Sequence, residues 1–101
     1  MLKKLLTYSE IRNNSAKAIS VDGNDIAIFN VEGKIYALKN VCPHQHFSLL
    51  HEGEICDGAV TCPMHGWTFD LATGASRTGQ GKATTYPVRI KGNDILVELA
   101  D

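Results

Sequence analysis

Two short segments, CPH at positions 42–44 and CPMHGW at positions 62–67, are the most informative part of this sequence. Each segment pairs one cysteine with one histidine, and seventeen residues (45 to 61) separate the two segments. Thiolates and imidazoles are common metal ligands, and proline or glycine beside them shapes the loop that presents them. The pattern predicts one metal centre. Its predicted ligands are Cys42, His44, Cys62 and His65.

The spacing of these ligands separates two kinds of centre. Two thiolates and two imidazoles can hold a tetrahedral zinc ion, or a [2Fe–2S] cluster in which two histidines replace two cysteines on one iron. Zinc modules usually take two similar ligands from each loop, whereas here each loop supplies one of each kind. Each loop would then reach both irons, with its cysteine on one and its histidine on the other. The spacing favours the iron–sulfur cluster, and a zinc-binding interaction module is the alternative.

The sequence on either side predicts short antiparallel strands. Apolar stretches alternate with turns rich in Gly, Asn and Asp, which supply or tolerate the positive φ of tight hairpins. Four such turns lie within 21–26, 31–35, 57–58 and 90–95. Period-two alternation of apolar residues, with turn signals about every 8–12 residues, is typical of an all-β sandwich or barrel. At most one helical turn is expected, near Ser9–Arg12.

Length and composition limit the possible functions. A chain of 101 residues with 44% apolar residues has the size and composition of one globular domain. The net charge of −1, without a basic stripe, argues against a nucleic-acid partner. The longest apolar runs are far shorter than the ~20 residues that cross a bilayer. The N-terminal apolar stretch turns polar at Thr7, too early for an export signal, so we expect a cytoplasmic protein without a membrane partner.

The residues that bear chemistry are concentrated in the middle of the chain. All three cysteines, all four histidines and the single tryptophan lie between positions 40 and 78. Sheet-forming sequence precedes and follows this stretch. The simplest organisation is a single domain, 1–101, in which a cluster-binding subdomain of about 40–78 is inserted in a β base of about 1–39 and 79–101.

The sequence resembles the soluble Rieske-type [2Fe–2S] ferredoxins over nearly its whole length. The resemblance implies the Rieske fold, an antiparallel β-sandwich base with an inserted cluster-binding subdomain, and one [2Fe–2S] cluster. It also implies that the two cysteines of the predicted set hold the inner iron and the two histidines the outer iron. The matching stretches are Cys42-Pro43-His44-Gln45, Leu49-Leu50, Glu52-Gly53, Val60-Thr61-Cys62-Pro63, His65-Gly66-Trp67-Thr68-Phe69-Asp70, Thr73-Gly74 and Tyr86-Pro87-Val88.

The same resemblance implies electron transfer without catalysis by this chain itself. It is similar to the ferredoxin component of multicomponent oxygenase systems, which takes single electrons from an NAD(P)H-dependent flavin reductase. The electrons pass to a terminal oxygenase, either a ring-hydroxylating dioxygenase or a diiron monooxygenase. The alternative is the small Rieske subunit of an assimilatory nitrite reductase. A partly apolar docking surface is expected beside the outer iron, formed by Pro43, Gln45, His46, Phe47 and Met64.

The sequence also predicts the environment of four residues and one segment near the predicted ligands. Cys56, which has no sequence partner and follows an isoleucine, is expected to be a buried, inert thiol, and His51 a solvated loop residue. Trp67 and Phe69 are expected to pack beneath the cluster loops; respiratory Rieske proteins carry hydroxyl residues there, so we also expect a low reduction potential. Between Ala75 and Thr84 this chain has no proline, whereas many relatives have one or more there, so its cover over the cluster is expected to differ.

Overall fold

A computed structural model describes residues 2–40, 50–62, 67–77 and 82–99 of the chain. Within these ranges lie strands and two single turns of 3₁₀ helix, at Tyr8–Glu10 and Leu50–Glu52. The first turn overlaps the helical turn expected near Ser9. The strands are β1 (Leu2–Thr7), β2 (Ser15–Val21), β3 (Asn24–Val31), β4 (Lys34–Lys39), β5 (Glu54–Cys56), β6 (Ala59–Thr61), β7 (Thr68–Asp70), β8 (Thr85–Tyr86), β9 (Val88–Lys91) and β10 (Asp94–Glu98).

The strands form three antiparallel sheets. The terminal sheet has the order β1-β10-β9, and the central sheet the order β2-β3-β4-β8. The third sheet, β5-β6-β7, comes from sequence that lies between β4 and β8. The prediction of an all-β, antiparallel fold is confirmed. Among the described residues no helix has the length and apolar character needed to span a membrane.

Strand β3 separates two hydrophobic cores. Ile26 and Ile28 are fully buried on one face, against side chains of the terminal sheet such as Ile95. Ala27 and Phe29, also fully buried, face the other way, into a core shared with the third sheet. Successive side chains of a strand point to opposite faces, so a strand covered on both sides is apolar throughout. The central sheet is therefore the middle layer, with one sheet on each face.

Tight hairpins connect the paired strands at the places where the sequence predicts turns. Asp57 and Gly58, between β5 and β6, have φ values of 51° and 72°. Positive φ at both central residues is the signature of a type I′ turn, whose twist matches that of the flanking strands. The β2–β3 and β3–β4 turns repeat this pair of positive φ values. Local turn chemistry therefore fixes the register of these hairpins.

We expect Ile28→Ala to lower the free energy of unfolding by about 2–4 kcal/mol, because it leaves a cavity in the core between two sheets. The matched control is Ile90→Ala on β9, where the same side chain is 47% exposed and the loss should stay below about 1 kcal/mol. Urea unfolding followed through the fluorescence of the single tryptophan measures both variants. Equal losses would contradict the assignment of β3 to the middle layer.

Candidate metal centre

Cys62 is the one predicted ligand that falls within the described residues. Cys42, His44 and His65 lie outside them, in the segments 41–49 and 63–66. The predicted docking residues lie in the same two segments, so the structure describes the framework around the site. These docking residues are Pro43, Gln45, His46, Phe47 and Met64.

Cys62 immediately follows β6 and is buried, with 1% of its surface exposed. Its backbone N–H donates to the carbonyl oxygen of Trp67 at 2.7 Å, directly beyond the pairing of Thr61 with Thr68. The hydroxyls of these two threonines lie 3.0 Å apart and form a further hydrogen bond across the hairpin. The residues on the two sides of segment 63–66 are therefore held together by backbone and side-chain bonds.

The side chain of Cys62 belongs to the core between the central and third sheets. Leu38 of β4 and Phe69 of β7 are members of the same buried cluster, and Trp67 packs against it. Leu38 lies three residues before segment 41–49, and Cys62 directly precedes segment 63–66. The two segments that carry the predicted ligands therefore begin at one shared apolar core, which excludes water from the Cys62 sulfur.

Asn40 and His51 flank the segment that carries Cys42 and His44. Asn40 is fully buried, and its backbone N–H donates to the carbonyl of Asp25 at 2.8 Å, next to the β2–β3 turn. Its side-chain Oδ1 accepts from the backbone N–H of His51 at 2.8 Å, and its Nδ2 lies 2.8 Å from His51 Nδ1. The two ends of the first ligand-bearing segment are thus joined through one asparagine side chain.

Gly74 and Ala83 close the segment that follows the second ligand pair. The backbone N–H of Ala83 donates to the Gly74 carbonyl at 2.8 Å, and Ala75 pairs with Lys82 in an isolated antiparallel bridge. Gly74 has φ +80°, and a Cβ built on it would lie 2.1 Å from the carbonyl oxygen of Ala83. Only glycine fits this position without displacing backbone.

Asp70 organises the turn between β7 and Gly74. Its Oδ1 accepts from the backbone N–H groups of Ala72 at 2.9 Å and Thr73 at 3.1 Å. Its Oδ2 pairs with Arg77 Nη2 at 2.8 Å, and Arg77 Nη1 donates to the carbonyl of Asp57 at 3.1 Å. The hydrogen bond from Arg77, followed by the one from Thr73, holds the pKa of Asp70 below its ordinary value. The charged pair ties this turn to the β5–β6 hairpin.

Two expectations about individual residues are wrong. Cys56 is exposed, not buried: on the edge strand β5 it shares a face with exposed Glu54, while Ile55 on the opposite face packs against the core. His51 is half-buried and bonded to Asn40, not a solvated loop residue. The signal for Cys56 was present, because residues i and i+2 of a strand share a face. The contact of His51 spans eleven positions and has no local signature.

Trp67 and Phe69 pack in the core as expected, whereas the cluster loops that they were expected to underlie are outside the described residues. Phe69 is fully buried in the core that contains Cys62, and Trp67 is half-buried against that core. Both aromatic residues lie just after segment 63–66 in the sequence and pack with the core that contains Cys62. They contribute apolar surface next to Cys62.

The profile of the Rieske [2Fe-2S] domain matches residues 2–90. The chain belongs to this family. It is 38% identical over 89 residues to the 3-phenylpropionate/cinnamic acid dioxygenase ferredoxin subunit of Escherichia coli strain K12, covering 84% of this chain and 83% of that protein. The ferredoxin of carbazole 1,9a-dioxygenase from Nocardioides aromaticivorans IC177 superposes with a TM-score of 0.88 at 26% identity, covering 95% of each chain.

A third similarity shows the fold alone. The putative NADH-dependent nitrite reductase small subunit from Mycobacterium tuberculosis superposes with a TM-score of 0.92 at 21% identity, covering all of this chain and 97% of the other. The Rieske fold predicted from the sequence is confirmed.

The family and its relatives establish the cofactor and the class of this protein. It is a ferredoxin, an electron carrier and not an enzyme, and its cofactor is one [2Fe–2S] cluster. The described residues fit that cofactor, because a water-excluding core surrounds the Cys62 sulfur and paired residues hold the loop that follows it. The predicted donor set, two thiolates and two imidazoles, would have the chemistry of a Rieske centre.

We expect Gly74→Ala to destabilise the protein by at least about 2 kcal/mol more than Gly23→Ala. Both glycines have nearly the same φ, +80° and +79°, but a Cβ at Gly23 meets nothing within 4 Å. The cost of placing alanine at a positive φ is therefore about the same in both variants. The difference between their losses in the free energy of unfolding then measures the steric effect of the close approach to Ala83. Urea unfolding measures both variants, and equal losses would show that the segment after Gly74 moves aside without cost.

The depressed pKa of Asp70 sets the sign of a pH effect. Its charge stabilises the folded state fully above the unfolded-state pKa of about 3.9, and this contribution is lost as the pH falls through the lower folded-state pKa. We expect Asp70→Asn to be less stable than the parent by a constant amount above about pH 5, with the gap closing below about pH 4. Urea unfolding at a series of pH values measures this gap.

The control for that series is Asp22→Asn. Asp22 pairs with Lys3 at 2.7 Å on the surface, where its side chain is 54% exposed. Such a solvated ion pair contributes at most about 1 kcal/mol. A gap for Asp70→Asn that stays constant down to pH 3, or one no larger than that of Asp22→Asn, would contradict the role given to the Arg77 contact.

Proposed function

We propose that this chain carries single electrons from an NAD(P)H-dependent flavin reductase to a terminal oxygenase. The observation that supports this most directly is the 38% identity, over 84% of the chain, to a dioxygenase ferredoxin subunit. The second support is the site framework, in which the one described ligand is buried at the root of a closed loop. The terminal oxygenase would be a ring-hydroxylating dioxygenase, with a diiron monooxygenase as the other possibility. A cytoplasmic location stays a prediction.

We further propose the ligand assignment that the sequence predicts. Cys42 and Cys62 would bind the inner iron, and His44 and His65 the outer iron. The burial of Cys62 supports its inner position, because a ligand inside the core lies away from the surface where a partner approaches. The segment of about 40–78 would then be the cluster-binding subdomain, since β5, β6 and β7 all lie within it.

In such an electron transfer, the residues of this chain would bind the cluster, exclude water from it and limit the movement of its ligands. When bound, the cluster supplies one-electron redox chemistry. The core around Cys62 excludes water on the inner side, and the paired loop ends limit the motion of the ligands when the charge changes. Small structural change between two redox states favours fast transfer, because less reorganisation accompanies each electron.

Docking would use the predicted surface at the loop tips. Transient redox contacts bury little area, often below about 1,200 Å² in total, so five residues beside two histidines are enough to form the centre of such a contact. These five residues are Pro43, Gln45, His46, Phe47 and Met64. The similarity to a nitrite reductase small subunit is one of fold alone, whereas the relative at 38% identity is a dioxygenase ferredoxin subunit.

Cys62→Ser and Cys56→Ser form a matched pair that tests the cluster. We expect Cys62→Ser to purify without the cluster, because serine replaces a thiolate ligand in the core. Cys56→Ser should retain two irons and two sulfides and the rhombic EPR signal after dithionite reduction, because Cys56 is exposed on an edge strand. One zinc and no sulfide in the parent protein would establish the zinc alternative instead.

The proposed partners require a separate experiment. In stopped-flow mixing, the reduced protein should be reoxidised by a ring-hydroxylating dioxygenase in the presence of its aromatic substrate and oxygen. A flavin reductase with NADH should reduce it again, and both rates should fall with added salt, as for weak electrostatic encounters. Co-purification in a stable, salt-resistant complex with a large reductase subunit would favour the nitrite reductase alternative.

A further inference from the structure

We propose that Asn40 and His51 are positioning residues that clamp the first ligand-bearing segment, 41–49, and so govern how tightly the protein retains its cluster. This inference rests on the proposed ligand roles of Cys42 and His44. Asn40 precedes Cys42 by two residues, and His51 follows segment 41–49 by two positions. A bond between them joins the two ends of the segment that presents both ligands.

The clamp is anchored in the central sheet. The backbone N–H of Asn40 donates to the Asp25 carbonyl at 2.8 Å, and Asn40 Nδ2 lies 3.3 Å from the Asp25 carboxylate. Asn40 itself has no exposed surface. A buried residue whose backbone and side chain each bond to Asp25 of β3 has little freedom to move, so it transmits the position of the sheet to the residues that follow it.

The hydrogen-bond directions in the clamp follow from one fixed donor. The backbone N–H of His51 can only donate, so the atom of Asn40 that it contacts at 2.8 Å is the carbonyl oxygen Oδ1. The other amide atom, Nδ2, is therefore a donor and faces His51 Nδ1 at 2.8 Å. Nδ1 must offer a lone pair there, which places the proton of the neutral imidazole on Nε2.

The first segment differs from the other two in what holds its ends together. Segment 63–66 is flanked by a backbone bond from Cys62 to Trp67, and the segment after Gly74 by one from Ala83. Between Asn40 and His51 the bonds depend on the Asn40 side chain. Backbone pairs survive most substitutions, whereas a side-chain clamp is lost with a single residue. Among the described residues, the bonds that join the two sides of the first ligand-bearing segment therefore depend on the identity of the Asn40 side chain.

Three variants of the cluster-loaded protein test this inference. His51→Ala removes the acceptor Nδ1 and keeps the backbone donor. His51→Asn restores an acceptor, because its Oδ1 occupies nearly the place of Nδ1. Asn13→Ala is the control: Asn13 Oδ1 accepts from the backbone N–H of Glu32 at 2.6 Å, a side-chain-to-backbone bond between residues distant in sequence that lies away from the ligand-bearing segments. The readouts are cluster release into excess chelator, followed by visible absorbance, and urea unfolding.

We expect His51→Ala to release its cluster about fivefold faster than the parent, the effect of losing one hydrogen bond. His51→Asn should return the rate to within about twofold of the parent. Asn13→Ala should release its cluster at the parental rate whatever it does to the urea midpoint. The EPR g values of His51→Ala should also shift or broaden, since the ligand geometry is less fixed, and those of the control should not.

The inference is overturned by any of three results. These results are release of the cluster from His51→Ala at the parental rate, an equal acceleration in the Asn13→Ala control, and a failure of His51→Asn to restore slow release. Parental release from His51→Ala would show that the bond to Asn40 does not control cluster retention. Equal acceleration in the control would show that the effect is one of general stability. Failure of His51→Asn would show that the Nδ1 acceptor has no role. Failure of the proposed function is distinguishable, because it appears as the absence of iron and sulfide in the parent protein.

Discussion

The burial of β3 on both faces is the constraint on which the rest of the structure depends. Its side chains alternate between two cores, one shared with the terminal sheet and one with the third sheet. A chain of this size buries only about 60–65% of its unfolded surface, so neither outer sheet could form a sufficient core alone. Because β3 contributes side chains to both cores, the terminal sheet and the third sheet both pack against the same strand. The third sheet, which carries the loop after Cys62, is thereby fixed to the β base.

The same core connects the fold to the redox centre. Cys62 is both a member of the hydrophobic cluster and the proposed iron ligand at the end of β6. A residue in this position couples cluster binding to folding, because the side chains that bury it also hold the central and third sheets together. The apolar aromatic side chains of Trp67 and Phe69 complete this environment. This apolar core keeps water away from the Cys62 side of the proposed centre.

A second feature of the structure is the bonding between residues that flank each internal segment. Each of the three internal segments outside the described residues lies between residues that bond to each other: Asn40 with His51, Cys62 with Trp67, and Gly74 with Ala83. Tying the ends of a loop lowers the entropy that it must lose when it takes up a defined geometry. A ferredoxin benefits from this preorganisation, because its ligands must keep nearly the same positions in both redox states. The type of bond differs among the three segments. Two are flanked by backbone hydrogen bonds, and the first is flanked by bonds of the buried Asn40 side-chain amide.

The sequence by itself determined the parts of this protein that rest on local chemistry. The Cys and His pairs with their spacing identified the family, and the Asp-Gly turn at 57–58 and the alternation along β4 predicted the hairpins, because turn geometry and strand period depend on neighbouring residues. The tertiary structure alone decided which faces are covered. Cys56 is exposed because β5 lies at a sheet edge, and His51 is bound because the chain returns to Asn40 after eleven positions. The close approach of Ala83 to Gly74 is likewise a contact between residues that are separated in sequence. Contacts between residues distant in sequence are set by packing of whole sheets, and no local pattern encodes them.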